Sequence, residues 1–62
     1  MAIDLLRCPD AAKFLDVSEM TLQRWRAKGT GPAWIRLSDN IIRYRAIDLE
    51  AYIQRKIQKG GL

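Results

Sequence analysis

The fold is decided by residues 17–29, which read VSEMTLQRWRAKG. Ser18 predicts the N-cap of a helix over 19–28, because a serine hydroxyl accepts a hydrogen bond from a free backbone N–H of the first turn. Val17 precedes the cap and can pack back onto the helix. The run Gly29-Thr30-Gly31-Pro32 ends it, since glycine favours helix ends and proline cannot continue a helix. Both ends of this helix are therefore marked in the sequence.

A shorter helix is predicted before it, from Pro9 to about Asp16. Proline is tolerated at the first helical position, and Asp10 in the first turn faces the positive end of the helix dipole. The apolar residues of this helix are Ala11, Ala12, Phe14 and Leu15. Only about three residues, Asp16-Val17-Ser18, separate the two helices, which must therefore cross at a large angle. This geometry predicts a helix-turn-helix.

Residues 33–45 predict a β-hairpin, because two β-branched and aromatic runs flank the turn cluster Ser38-Asp39-Asn40. Asn40 tolerates positive φ in such a turn. Alternation along the strands predicts one apolar and one mainly basic face. The apolar face comprises Ile35, Leu37, Ile42 and Tyr44, and the other face comprises Trp34, Arg36, Ile41, Arg43 and Arg45.

A third helix is predicted from about Ala46 to Lys56, since apolar residues recur there at helical spacing. They are Ile47, Leu49, Tyr52, Ile53 and Ile57. Asp48 in the first turn and Arg55, Lys56 and Lys59 near the end complement the helix dipole. Residues 59–62 are expected to fray. The chain is thus predicted to be one domain over 1–62, mainly α with a small β-hairpin, in the order helix, helix, hairpin wing, helix.

The composition favours a polyanionic partner. Eleven Lys or Arg against seven Asp or Glu give a net charge of +4 on only 62 residues. Charge alone does not distinguish nucleic acid from an anionic membrane. No apolar run approaches the ~20 residues that span a bilayer, and the first six residues are too short and too acidic for a signal peptide. We therefore expect no membrane partner, and the single Cys8 suits the reducing conditions of a cytoplasm.

The chain is not expected to be an enzyme. It has no histidine for general base or metal duty, and the single Cys8 lacks a partner for nucleophilic catalysis. Ser18 and Ser38 are explained by cap and turn roles. We therefore expect no catalytic residue, no metal and no cofactor.

The second helix carries a face that suits the major groove of DNA. On a helical wheel Leu22 and Trp25 form an apolar seam. The opposite side carries Met20, Gln23, Arg24 and Ala27, flanked by Thr21 and Lys28. Arginine can bond guanine, glutamine can bond adenine, and Ala or Met can touch a thymine methyl. An ordinary solvated helix could carry the same residues, but the preceding turn and the basic hairpin favour DNA.

The hairpin arginines Arg36, Arg43 and Arg45 have two interpretations. They could keep an edge strand soluble, but three arginines without an interleaved acid favour contact with phosphates or the minor groove. The predicted DNA-binding residues are Ser18, Met20, Thr21, Gln23, Arg24, Lys28, Arg36, Asn40, Arg43 and Arg45.

Three residues are ambiguous in this pattern. Trp34 is predicted either to cover the core or to contact a partner. Arg26 lies at the edge of the apolar seam and is predicted to pair with Asp16 or Glu19 rather than with DNA. Cys8 is predicted to be an inert residue at the start of the first helix.

The ordered motifs over 8–18, 21–25, 43–45 and 48–53 resemble the excisionase and MerR-like winged helix-turn-helix family of small DNA-binding proteins. The matching pattern is T-P-x-x-A-A-x-x-L-x-V-S-x-x-T-L-x-R-W, followed by R-Y-x-x-x-D-L-E-A-W. Three positions depart from it. Cys8 replaces Thr or Ser, which should weaken the first helix cap; Tyr52 replaces Trp; and Ser38-Asp39-Asn40 replaces a glycine-containing turn, which should reshape the wing tip.

The resemblance implies that the second helix enters the major groove of double-stranded DNA and that the wing reaches the backbone or the adjacent minor groove. Short members of the family are frequently excisionases of phages or mobile elements, also called recombination directionality factors. Such proteins bind repeated sites cooperatively beside neighbouring copies, bend the DNA and assist a cognate integrase. The alternatives are an AlpA-type transcriptional regulator, a phage terminase small subunit, or, outside the family, a small protein-interaction module.

Overall fold

A computed structural model describes residues 4–58, which form three helices and a small sheet. The elements in chain order are β1 (Leu5–Leu6), α1 (Cys8–Leu15), α2 (Glu19–Lys28), β2 (Ile35–Ser38), β3 (Ile41–Arg45) and α3 (Ala46–Lys56). The three strands are antiparallel in the order β1-β3-β2. This architecture is the predicted winged helix-turn-helix. The predicted fraying of 59–62 lies outside the described residues.

The turn between α1 and α2 is held by backbone hydrogen bonds around Asp16. This residue adopts the left-handed conformation with φ 60°, which aspartate tolerates better than most residues. Its N–H donates to the Lys13 carbonyl at 3.1 Å, and the Val17 N–H donates to the Ala12 carbonyl at 3.0 Å. The Ser18 hydroxyl accepts from the Thr21 N–H at 3.1 Å, which confirms the predicted cap.

The core is small and is built from the three helices and β3. Its buried residues are Ala11, Ala12, Leu22, Tyr44 and Leu49. Leu6, Cys8, Leu15, Val17, Trp25, Trp34 and Ile42 pack around them, partly buried. Trp25 lies at the rim, with its ring 5.7 Å from that of Tyr52, so its predicted inward position is confirmed. Trp34 covers the core, the first of the two roles predicted for it.

Several apolar residues of α1 and α3 do not reach the core. Phe14 on α1 is exposed, and the α3 residues Ile47, Ile53 and Ile57 are exposed as well, Ile47 by 67%. Only Leu49 and Tyr52 of the predicted α3 set turn inward. The small domain has no further element between residues 4 and 58 that packs over Ile47, Ile53 and Ile57.

The strand β1 was not expected from the sequence. Leu6 pairs with Tyr44 and Leu5 with Arg45, and the Ala46 N–H donates to the Asp4 carbonyl at 3.2 Å. Two residues are too few to show a strand periodicity. This short strand nevertheless makes β3 the central strand of the sheet.

The predicted faces of the hairpin are wrong for β2, because the strand contains a bulge. Ser38 pairs with Ile41, yet Arg36 pairs with Ile42, so that Leu37 is the extra residue. A regular ladder would instead place Leu37 opposite Ile42 and Ile35 opposite Tyr44, as the alternation predicts. Because side chains alternate between the two faces of a sheet, one inserted residue moves every side chain beyond it to the opposite face.

Residues that oppose each other in an antiparallel pair share a face of the sheet. Arg36 therefore shares the face of Ile42 and Tyr44, while Ile35 shares the face of Arg43. The three hairpin arginines thus do not form one basic face. Asn40 does not adopt positive φ in the turn, since Asp16 is the only non-glycine residue between 4 and 58 with positive φ.

Gly29 and Gly31 provide a matched test of the loop after α2. Both have positive φ, but a Cβ on Gly29 would meet no atom within 4 Å, whereas one on Gly31 would lie 2.8 Å from Cε3 of Trp25. Gly29→Ala should lower the free energy of unfolding by about 1 kcal/mol through backbone strain. Gly31→Ala should lower it by about 1–3 kcal/mol more, because the methyl displaces the Trp25 ring. Urea unfolding of both variants measures the difference, and equal losses would contradict the close approach.

Candidate nucleic-acid interface

The outward face of α2 is exposed as predicted. Met20 is 66% exposed, and Gln23, Arg24, Ala27 and Lys28 are exposed as well. Leu22, on the opposite side, is completely buried against α1 and the sheet. Among the hydrogen bonds of residues 4–58, none involves the side chain of Gln23, Arg24 or Lys28. The polar groups of this face are therefore available to a ligand, while the buried side holds the helix in place.

Two of the predicted DNA-binding residues at the start of α2 are engaged with each other. The Ser18 and Thr21 hydroxyl oxygens lie 2.9 Å apart, within hydrogen-bond distance. The Ser18 hydroxyl also caps the helix. A contact from Ser18 to a phosphate would have to leave this cap intact, because a lost serine cap costs about 1 kcal/mol. Thr21 is half-buried and presents less of its surface than its neighbours.

The predicted wing residues have different surroundings. Arg36 is exposed, its Nη1 donates to the Asp39 carbonyl at 3.3 Å, and its guanidinium lies 5.4 Å from the centre of the Trp34 ring. Arg43 is half-buried, and its Nη1 donates to the Ile42 carbonyl at 2.8 Å. Asn40 is exposed in the turn between the strands. Arg36 and Arg43 thus point to opposite faces of the hairpin, and Arg36 is the less engaged of the two.

Arg45 forms an ion pair that was not predicted from the sequence. Its Nε and Nη2 donate to the two carboxylate oxygens of Asp48 at 2.6 and 2.9 Å. The pair joins the end of β3 to the first turn of α3, and its i, i+3 spacing was the signal that could have revealed it. The hydrogen bond from Arg45 holds the pKa of Asp48 below its ordinary value, although partial burial of the carboxyl opposes this shift.

Arg26 does not pair with Asp16 or Glu19, so that prediction is wrong. Its Nη1 donates to the Tyr44 hydroxyl at 2.8 Å and makes a longer contact of 3.8 Å with the Cys8 sulfur. A phenol within reach competes well with the two carboxylates, which lie on the exposed surface and are solvated by water. Arg26 therefore faces the core and not the exposed side of α2.

Comparison with known proteins supports this architecture. A protein-family model described as a helix-turn-helix domain matches residues 5–57. Searches of curated proteins and of solved structures found no significant match. Between residues 4 and 58, no helix has the length and apolar character that crossing a membrane requires.

The pair of Arg45 and Asp48 predicts a dependence of stability on acid. The pKa of Asp48 is lower in the folded chain than its ordinary value of 3.8, so the stabilisation is present above that value and is lost as the pH falls through the folded pKa. Asp48→Asn should therefore be less stable than the parent at neutral pH. The two unfolding free energies should converge below about pH 4. A constant difference from pH 7 to pH 2 in urea titrations would contradict the pairing.

Proposed function

The chain belongs to the helix-turn-helix domain family, and on that premise we propose that it is a non-enzymatic protein that binds double-stranded DNA sequence-specifically. In this proposal α2 enters the major groove and the hairpin of β2 and β3 acts as the wing. The observation that carries it is the exposed face of α2, whose polar side chains have no partner among the described residues.

The residue types on that face suit the edges of bases. Arg24 lies at its centre and can bond the O6 and N7 atoms of guanine, and Gln23 can bond N6 and N7 of adenine. Met20 and Ala27 can contact a thymine methyl. Lys28 at the C-terminal end of α2 and Thr21 near its start flank these residues and are assigned to backbone contacts, which position a protein without reading sequence.

The wing is assigned to the DNA backbone or the adjacent minor groove. Arg36 is the strongest candidate because it is exposed and its one hydrogen bond to the residues between 4 and 58, to the Asp39 carbonyl, is long. Asn40 at the turn could reach the same backbone. Arg43 and Arg45 would first have to release the Ile42 carbonyl and Asp48, respectively. Their contribution to DNA binding should accordingly be smaller than that of Arg36.

Within this class, we assign the chain to the excisionases, the recombination directionality factors that assist an integrase. The support is the sequence resemblance over 6–53 together with the size of the reading surface. Single modules of this kind bury only about 600–1,000 Å², so further affinity must come from neighbouring copies on DNA or from the integrase. The AlpA-type regulator is the second candidate. A footprint on DNA flanking the gene separates them: protection of an attachment site supports excision, and protection of a promoter alone supports regulation.

Arg24→Ala is predicted to reduce both affinity and discrimination, because a bidentate contact to a base is worth about 1–3 kcal/mol. The measurement is the ratio of Kd values for a duplex selected from a random pool and for its scrambled counterpart. Lys13→Ala is the matched control, since Lys13 is an exposed cation on α1, outside the proposed interface. If the ratio is the same in Arg24→Ala as in the parent, Arg24 does not read a base.

Arg36→Ala is predicted to flatten the dependence of log K on log salt by about 0.9, the value for one lost phosphate contact. Arg43→Ala should change the slope less, because its guanidinium is already bonded to the Ile42 carbonyl. Titrations of one duplex at several salt concentrations give the slopes. Unchanged slopes in both variants would place the hairpin away from the DNA.

The excisionase assignment predicts stepwise binding and bending. On a fragment that carries its natural sites, the protein should produce successive shifted bands, each representing one more bound copy. The mobility of the complex should depend on where the sites lie in the fragment. A stable dimer in solution that binds one inverted repeat without such dependence would favour a dimeric repressor instead.

A further inference from the structure

The guanidinium of Arg26 lies between α2 and β3, a strand of the wing. Arg26 is half-buried on α2, and its Nη1 donates to the Tyr44 hydroxyl at 2.8 Å. Tyr44 is completely buried in β3, the strand that pairs with both β1 and β2. The hydrogen bond therefore connects α2 to the central strand of the sheet that carries the wing.

This connection has no counterpart elsewhere on α2. Among the described residues, Arg26 is the only residue of α2 that makes a hydrogen bond to another helix or strand. The remaining contacts of α2 with the core are apolar, through Leu22 and Trp25. Apolar contacts favour burial without imposing a direction, whereas a bond to a guanidinium is directional. Besides the turn to α1 and the apolar packing, this hydrogen bond is therefore the one polar contact described that fixes the direction of α2 relative to β3.

The other strand of the wing, β2, is linked to the same guanidinium through Trp34, the residue before it. The carbon Cζ of Arg26 lies 5.9 Å from the centre of the Trp34 ring. Arg36 approaches Trp34 as well, with its Cζ at 5.4 Å, and Trp34 immediately precedes β2. Cations at these distances from aromatic rings are attracted to them. Arg26 therefore contacts β3, the central strand of the sheet, and Trp34, the residue that leads into β2.

We infer that Arg26 is a positioning residue for DNA recognition, which sets the wing relative to α2 so that both reach one duplex together. The inference rests on the proposed DNA binding. When α2 and the wing bind one duplex at the same time, the second contact adds affinity to the first. If the angle between them is wrong, each can still bind DNA alone, but the added affinity is lost. Arg26 itself is not assigned to DNA, since it is half-buried and its Nη1 is engaged with Tyr44.

The test compares two duplexes in the full-length protein. The long duplex covers the footprints of α2 and the wing, and the short one ends before the footprint of the wing. The gain is the ratio of the two Kd values, short over long. Tyr44→Phe removes the acceptor of Arg26 and retains the buried ring. We expect it to weaken binding to the long duplex about tenfold, as misplacement of linked contacts does, and to leave binding to the short duplex unchanged.

Two controls separate positioning from stability. Val17→Ala trims a half-buried residue packed on the core that takes no part in the hydrogen bonds of Arg26, so it should lower the melting temperature and keep the gain. Arg36→Ala should lose the gain by removing a wing contact, and adding Tyr44→Phe to it should cause little further loss. Arg26→Lys keeps the charge but not the planar fork. It serves as the second probe if Tyr44→Phe does not fold by circular dichroism.

The outcomes distinguish the two levels of the proposal. If the parent binds neither duplex better than scrambled DNA, the proposed function fails. If the parent binds specifically but shows no gain, or if the folded probe variant retains the gain with only a lower melting temperature like Val17→Ala, the positioning role is overturned. Loss of the gain in the folded probe variant, with the gain kept in Val17→Ala, supports the positioning role.

Discussion

The burial of Tyr44 is the constraint on which the other elements depend. Its ring fills the core beside Leu22 and Leu49, while its hydroxyl requires a partner, because a buried polar group without one is costly. Arg26 provides that partner from α2. The apolar part of one side chain thus joins the sheet to the helices, and its polar end connects the central strand to α2. Among the five buried core residues between 4 and 58, no other side chain combines these two roles.

The helices were predictable because their ends are encoded locally. The Ser18 cap and Gly29 define α2 without reference to any other part of the chain, and the predicted bounds of α2 and α3 agree with the structure. The hairpin was only half predictable. Its strands and turn are local features, but the bulge at Leu37 is not signalled by any residue type there, and it reverses the faces of β2. The strand β1 depends on pairing with a residue nearly forty positions away, as Leu6 does with Tyr44.

The same division applies to the candidate interface. The exposed face of α2 follows from helical periodicity alone, so the exposure of Gln23 and Arg24 was predictable. The partners of the other arginines were not. Arg45 meets Asp48 at i, i+3, a spacing that the sequence displays, whereas Arg26 meets Tyr44 across 18 residues and only the tertiary fold brings them together. An arginine count therefore overestimates the cations available to DNA, because two of them stabilise the fold.

The central claim is that the exposed face of α2 lies against DNA. Cross-saturation from the protons of a bound duplex to the amides of deuterated protein tests it directly, since the transfer requires proximity and is insensitive to remote changes of conformation. We expect strong transfer to the amides over 18–28 and weaker transfer to the wing turn over 38–41, with none to α3 near Ile53 and Ile57. Transfer concentrated on α3, with α2 unaffected, would contradict it.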